Sequence, residues 1–249
     1  MINEQQAFLN RLTDLADQAN RQYRITATSF LTPAEQTLAE PFLRNRKISF
    51  SLEGGYEQAE RKRCLFWLSA DQPPQPQDFL AVTEIIPVRE GLGHRDYLGA
   101  LLGLGLKREQ LGDIVVQANR AFVIHHPNLK SFFLTQLEQV GSSSVRCQEV
   151  VSFNPVIAEQ TAPTQLTASV SSLRADVVLG SIFHLSRSQS LEMIRRGQVQ
   201  LDWSECSKPD QLVMPGQVLN IRGSGRARIL QCDEHSRKGK IRLVYEQFT

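Results

Sequence analysis

Residues 79–151 constrain the fold more tightly than any other part of this 249-residue chain. Hydrophobic periodicity there switches between strand and helix. Residues 79–88 read as a strand and 94–104 as a helix. Residues 113–117 and 121–125 read as strands joined by the turn Ala118-Asn119-Arg120. Residues 127–140 read as a helix with Leu129, Phe132, Phe133, Leu137 and Val140 on its apolar side, and 145–151 as a last strand. The order β-α-β-β-α-β is that of the split β-α-β, or ferredoxin-like, domain. RNA-recognition domains use this fold, but so do many enzymes and regulators, so the order alone names no activity. The aromatic pair that stacks bases in RNA-recognition sheets is not evident. Phe122 is the one aromatic on the central strands and suits a core as well as a platform.

The flanks divide the rest. Gln72-Pro73-Pro74-Gln75-Pro76-Gln77 is a proline-rich break. Ahead of it, Phe8, Leu12, Leu15 and Ala19 recur at helical spacing over 3–20. Thr32-Pro33-Ala34-Glu35 announces a second helix, with a threonine cap and proline in the first turn. Residues 48–52 read as a strand, Gly54-Gly55 as a turn, 56–63 as a short charged helix and 65–68 as a strand. Behind the split domain, Pro155 and Pro163 mark a connector that leads into a strand near 166–170. The expected class is α+β: an N-terminal α/β domain over 1–76, an RRM-like βαββαβ domain over 77–152, a connector over 153–169 and a C-terminal domain over 170–249.

Composition excludes several classes. The longest apolar run, Tyr97 to Leu106, is about half of the ~20 residues a membrane helix needs. No basic region followed by an apolar stretch opens the chain, so no secretory signal is expected and the cytoplasm is the expected compartment. Cys64, Cys147, Cys206 and Cys232 include no CxxC pair and read as idle or buried thiols. No histidine pattern suits a metal, and His125-His126 point to opposite faces of a strand. No cofactor and no small-molecule substrate are expected. His94-Arg95-Asp96 lacks the glycine-rich loop and lysine strand of a kinase. Gly91-x-Gly93 lacks the third glycine and following acid of a dinucleotide site. Gly99 and Gly103, four apart on the helix 94–104, read as close packing of that helix on its sheet.

Net charge is +2, but it is unevenly placed. Residues 1–169 carry 16 basic and 18 acidic side chains, whereas residues 170–249 carry 12 and 8. The electrostatic footprint of nucleic-acid binding belongs to a domain rather than to a whole chain. In that basic end, residues 172–179 read as a helix. Ser186-Arg187-Ser188-Gln189 opens another, with Ser186 as cap and Gln189 completing a capping box. Leu191 and Ile194 are expected to face its core. Arg195-Arg196-Gly197 ends it with cations and a glycine. Residues 198–203 and 218–222 read as strands, and 226–231 with 240–245 as a hairpin.

Leu173-Arg174-Ala175-Asp176-Val177-Val178-Leu179, Ser186-Arg187-Ser188, Ile194, Gly197, Val199, Leu201-Asp202-Trp203 and Pro215-Gly216 together resemble the RNA-binding domain named after ribosomal small-subunit protein S-four. Ala175 stands for that pattern's leucine, Asp202 for its asparagine and Gln217 for its aspartate. The resemblance fits the chemistry, because RNA needs cations for phosphate oxygens and donors held on rigid elements. Arg187 and the amides at its helix N-terminus can share a phosphate. Arg174, Ser186, Ser188, Gln189, Arg195, Arg196 and Lys208, with Arg222, Arg226 and Arg228, are the expected RNA contacts. His94, Arg95, Lys107 and Arg108 form a possible second contact surface.

Gly54-Gly55-Tyr56 with Ala59-Glu60-Arg61-Lys62, the run Gly93 to Glu109 with Gly112-Asp113-Ile114, and Arg222-Gly223-Ser224-Gly225-Arg226 with Lys238-Gly239 resemble the YlmH family over nearly the whole chain. Such proteins are bacterial and encoded near cell-division genes. The resemblance implies a non-catalytic factor in ribosome-associated quality control. It would bind the large ribosomal subunit with peptidyl-tRNA, contact ribosomal RNA and tRNA, and support template-free alanine tailing. An RNA-modifying enzyme that docks through the same module is the rival reading. The front 170 residues, however, lack the Arg-Leu-Asp of pseudouridine synthases and the signature pair of tyrosyl-tRNA synthetases. An adaptor in cell division is a third.

Overall fold

The computed structural model describes residues 4–68, 73–117, 119–151, 165–221, 225–233 and 239–248. The chain gathers into two compact units, Met1–Gln160 and Thr161–Thr249, each mixing helix and strand.

The first unit holds two sheets. Helix α1 (Glu4–Gln22), strand β1 (Thr26–Leu31), helix α2 (Pro33–Asn45) and strands β2 (Phe50–Glu53) and β3 (Lys62–Phe66) build the smaller, antiparallel in the order β1-β3-β2. The Thr32 hydroxyl accepts the Glu35 N–H, and the Glu35 carboxylate accepts the Thr32 N–H, so the expected cap forms as a full capping box. Leu12, Ala16 and Ala19 of α1 bury against Leu31, Leu43, Cys64 and Phe66. The helix expected over 56–63 is absent. The N–H groups of Glu60 and Arg61 turn instead to the Asp113 carboxylate, at 2.7 and 3.1 Å, and β3 starts at Lys62.

The larger sheet follows a single helical turn, α3 (Pro76–Phe79). It comprises β4 (Ala81–Pro87), α4 (His94–Gly103), β5 (Leu111–Gln117), β6 (Arg120–His125), α5 (Lys130–Gln136), β7 (Gln139–Val140) and β8 (Ser143–Val150). Its order is β5-β6-β4-β8-β7, with every neighbouring pair antiparallel. Strands β4 and β5, joined through α4, are separated by β6, which is the split β-α-β arrangement. The second helix is shorter than its periodicity predicts. A 3-10 turn occupies Pro127–Leu129, and buried Val140 belongs to β7, where Gly141 (φ +57°) turns the chain into β8.

Alternation along the strands gives this sheet two apolar faces. Ile85, Ala121 and Val123 pack against Tyr97 and Leu101 of α4 and Phe133 of α5. Val82, Phe122 and Ile124 pack on the other side against Phe30 and Leu80, with Tyr56 beside them. Phe122 is only 1% exposed, so the face that stacks bases in RNA-recognition domains is closed by core packing. A Cβ on Gly112 would lie 2.7 Å from Phe30, which fixes glycine where β5 passes beneath that ring.

The second unit contains β9 (Gln165–Val170), α6 (Ala175–Ile182), α7 (Arg187–Arg195), β10 (Val199–Leu201), β11 (Ser204–Glu205), β12 (Val218–Ile221), β13 (Gly225–Asp233) and β14 (Ile241–Phe248). They form one antiparallel sheet, β11-β10-β12-β13-β14-β9. Of the expected connector, residues 153–164 lie outside the described residues, and 165–169 belong to β9. Helix α6 starts three residues later than expected. The backbone of Leu173, Arg174 and Ala175 is held extended against Gln211, Leu212 and Val213. Val178, Leu179, Ile182 and Ile194 of the two helices bury on Leu219, Ile221, Ala227 and Ile229 of the sheet.

Candidate nucleic-acid interface

The second unit presents its cations in two layers. On the helical layer, α7 begins as expected. The Ser186 Oγ accepts the Gln189 N–H at 3.2 Å, the Gln189 Oε1 accepts the Ser186 N–H at 2.8 Å, and Ser188 Oγ lies 3.0 Å from Ser186 Oγ. Ser186, Ser188 and Gln189 therefore shape the helix start, and Arg187 projects from it exposed. Replacing Ser186 with alanine is expected to lower the stability of the second unit by ~1 kcal/mol, read by urea unfolding; a change below a few tenths would remove its capping role. At the other end Gly197 adopts φ +65°, closing the helix as its position predicts. Ser190 and Ile194 form the buried side, with Met193 packed on the core; Leu191 is only half-buried. Arg195 is exposed, and Arg196 pairs with Glu192 at 2.5 Å. Arg187 and Arg195 stand eight residues apart, roughly 12 Å along the axis.

Arg174 is placed differently from its sequence reading. Its Nε and Nη2 both donate to the Asp176 carboxylate at 3.0 Å, and that carboxylate is buried. The hydrogen bonds from Arg174 hold the Asp176 carboxyl below its usual range, with Arg187 adding a smaller pull in the same direction. The fork of Arg174 thus supports the start of α6. Lys208 is exposed on the loop that precedes the Arg174 pairing segment.

Arg226 and Arg228 leave the sheet on the side opposite α6 and α7, because Ala227 and Ile229 between and beyond them point into the core. Helix arginines and strand arginines do not share one face. Arg222 lies outside the described residues. The Arg226 guanidinium sits over the Trp203 ring, 6.0 Å from its centre. Trp203 belongs to the S-four-like pattern read from the sequence but is not among its expected RNA contacts. Asp202 and Trp203 take φ +48° and +67°, the two central positions of a tight hairpin between β10 and β11. An arginine stacked on an exposed-edge aromatic offers both a charge and a π-face to a nucleotide.

The two departures from the S-four pattern in this region touch each other. Gln217 Nε2 donates to Asp202 Oδ2 at 2.7 Å, and the Val218 N–H donates to Asp202 Oδ1 at 2.8 Å. The pair ties the β10–β11 turn to the start of β12.

In the first unit, the expected second surface does not assemble as one patch. His94 and Arg95 stand exposed at the start of α4, and Lys107 follows its far end, roughly 15 Å away for a ten-residue helix. Arg108 turns inward, and its Nη1 donates to the carbonyls of Leu111 and Gly112 at 2.8 Å. Burial pushes its guanidinium down to about 10. Gly99 and Gly103 are exposed, and a Cβ on either would meet nothing within 4 Å. Close packing is therefore not their reason, and nothing in the structure explains them.

Among the described residues no group of three His, Cys, Asp or Glu side chains is placed to hold a metal ion, and no helix is long and apolar enough to cross a membrane. The four cysteines are unpaired, and burial pushes Cys64 up to about 12 and Cys147 up to about 11, away from thiolate chemistry.

Residues 4–67 match the family model described as "YlmH, N-terminal", and residues 74–153 match "Putative RNA-binding domain in YlmH". The ribosome-associated protein quality control protein P2 of Bacillus subtilis (strain 168) is 29% identical over 250 residues, spanning 98% of this chain and 95% of the relative. Cell division protein ylmH from Streptococcus pneumoniae superposes with a TM-score of 0.53 at 22% identity, over 59% of this chain and 91% of that one, and shares the fold. With both family models and a near-full-length relative in agreement, the chain belongs to the YlmH family.

Proposed function

We propose that this chain is a non-catalytic RNA-binding factor of the bacterial ribosome, working in the cytoplasm in ribosome-associated quality control. In this reading the second unit is an S-four-type domain. It grips ribosomal RNA and tRNA on the large subunit, near peptidyl-tRNA, and so supports alanine tailing of stalled chains. The observation that carries the reading is the near-complete alignment with a relative named for ribosome-associated quality control. The Asp202–Gln217 hydrogen bond adds to it, because it ties down the hairpin that carries Trp203 beside Arg226.

The mechanism is positional. Arg187 and the amides of α7 bind phosphate at a helix start, and Arg195 and Arg196 extend the contact. Neutralising Z phosphates gives a salt slope of roughly −0.7Z to −0.9Z. Arg187→Ala, or Arg195→Ala with Arg196→Ala, is expected to weaken binding to large subunits or their RNA by ~1 kcal/mol or more without unfolding the unit. Unchanged binding in a salt-controlled titration would remove the assignment. A second reading is an adaptor in cell division, the role for which the pneumococcal protein is named. Sedimentation separates the two, since an adaptor does not travel with large-subunit particles. An RNA-modifying enzyme would instead leave one nucleoside unmodified in a strain lacking the protein.

A further inference from the structure

A cavity of about 460 Å³ opens within the first unit, bounded by α1, β1, β3 and the loops before β5 and after β6. Arg11, Arg63, Lys107, Glu109 and His126 supply its charged and imidazole groups. Arg63 is the unusual member, at only 5% exposed. Its Nε donates to the Thr28 carbonyl at 2.7 Å and its Nη1 to the Phe79 carbonyl at 2.6 Å. Among the described residues its Nη2 has no acceptor and it forms no ion pair; its guanidinium lies over the Phe30 ring, 6.0 Å from the centre. Neighbouring Arg61 and Arg108 differ, because Asp113 offsets part of their charge. For Arg63 burial stands alone, and it pushes the guanidinium down to about 10.

A buried cation without a countercharge is costly, and proteins rarely keep one unless something else supplies the anion. The surroundings suit such an anion. Three cations face one acid, Glu109, which is exposed. His126 adds a donor: its Nδ1 accepts the Asn128 N–H at 3.2 Å, so the neutral ring carries its proton on Nε2. Arg11 and Lys107 are exposed, and the cavity has room for more than one phosphate group. Exposed cations beside a buried one suit a strand passing over the opening, with one phosphate turned inward.

We propose that this cavity seats a backbone phosphate of an RNA strand, with Arg63 as the buried anchor and Arg11 and Lys107 as exposed donors. The proposal rests on the RNA-binding reading above and adds a second contact point, in the first unit and independent of the α7 arginines. It also absorbs Lys107, which the structure separates from His94 and Arg95.

The test uses the full-length, 15N-labelled protein at fixed salt. It is titrated with a short single-stranded RNA and, separately, with inorganic phosphate and with uridine monophosphate. The Arg63 Nε–H resonance is expected to shift and saturate with RNA. Arg11→Ala with Lys107→Ala, both at exposed positions, is expected to bind that RNA at least five-fold more weakly, with a salt slope shallower by roughly 1 to 2. If the resonance stays still and the double variant binds like the parent, while Arg187→Ala still weakens binding, the cavity is not an RNA seat and the C-terminal reading survives. A saturable shift with phosphate or uridine monophosphate but none with RNA overturns RNA as the occupant. Absence of any RNA binding by the parent protein overturns both readings together.

Discussion

Removing the carboxylate of Asp113 is expected to destabilise the first unit by about 3 kcal/mol, since a hydrogen bond to a charged group contributes about 1.5–3 kcal/mol and several are lost together. Asp113 sits in β5, yet its oxygens accept the Tyr56 hydroxyl and the N–H groups of Glu60 and Arg61, all from the segment before β3. Arg61 then reaches across to the carbonyls of Phe30 and Leu111, and Arg108 to Leu111 and Gly112. One carboxylate thus satisfies two backbone donors and a phenol while offsetting two half-buried guanidiniums. Asp113→Ala leaves all of them short. Asp113→Asn keeps the shape but sets an amide against N–H donors, so it should recover little. Each unit carries one tryptophan, Trp67 and Trp203, so urea unfolding of a Trp203→Phe background reports the first unit alone. A loss below ~1 kcal/mol for the alanine variant would mean that the two sheets are held by the Phe30–Phe122 packing without this joint.

How much of this was readable beforehand depended on the range of the interaction. The start and end of α7 were legible because a capping box and a terminal glycine act within a few residues. The β-α-β-β-α-β succession along the chain followed from periodicity for the same reason, although β7 was read as the end of a helix. The Asp113 joint was not legible, since its partners lie more than fifty positions earlier and the charged run 56–63 scores as helix when read alone. The arginines were visible as basic residues, but their layer was not. Only the packing of α6 and α7 on Ala227 and Ile229 shows that Arg226 and Arg228 leave the other side. Arg174 looked free because an aspartate in a helix's first turn usually serves the dipole from the surface; here Asp176 is buried and takes the arginine's fork. Gly99 and Gly103 show the converse error, where a spacing associated with tight packing lies on an open face.

Acid is expected to weaken the first unit through His125. The ring is fully buried, stacked on Phe133 with 4.4 Å between centres. Nδ1 lies 2.8 Å from the His126 carbonyl and Nε2 2.8 Å from the Thr83 hydroxyl. A neutral ring protonated on Nδ1 satisfies both: it donates to the carbonyl and accepts from the threonine. A second proton would put a charge into the core between the sheet and α5. Burial lowers its pKa to about 4, against the opposing pull of the His126 carbonyl and with a further push from Lys130. The unfolded chain takes up that proton near 6.5, so between 6.5 and about 4 it binds more protons than the folded one and stability falls as pH falls. Each unit of pH in that window costs ~1.4 kcal/mol, which gives about 2 kcal/mol between pH 7 and pH 5 and ~3 by pH 4. His126, also lowered by burial, acts in the same direction. Urea midpoints read through Trp67 at pH 7 and pH 5 measure the loss. His125→Gln lowers stability at both values but should remove most of the difference between them. If the difference persists in that variant, the acid sensitivity belongs to other groups and the core imidazole is already charged or already exposed.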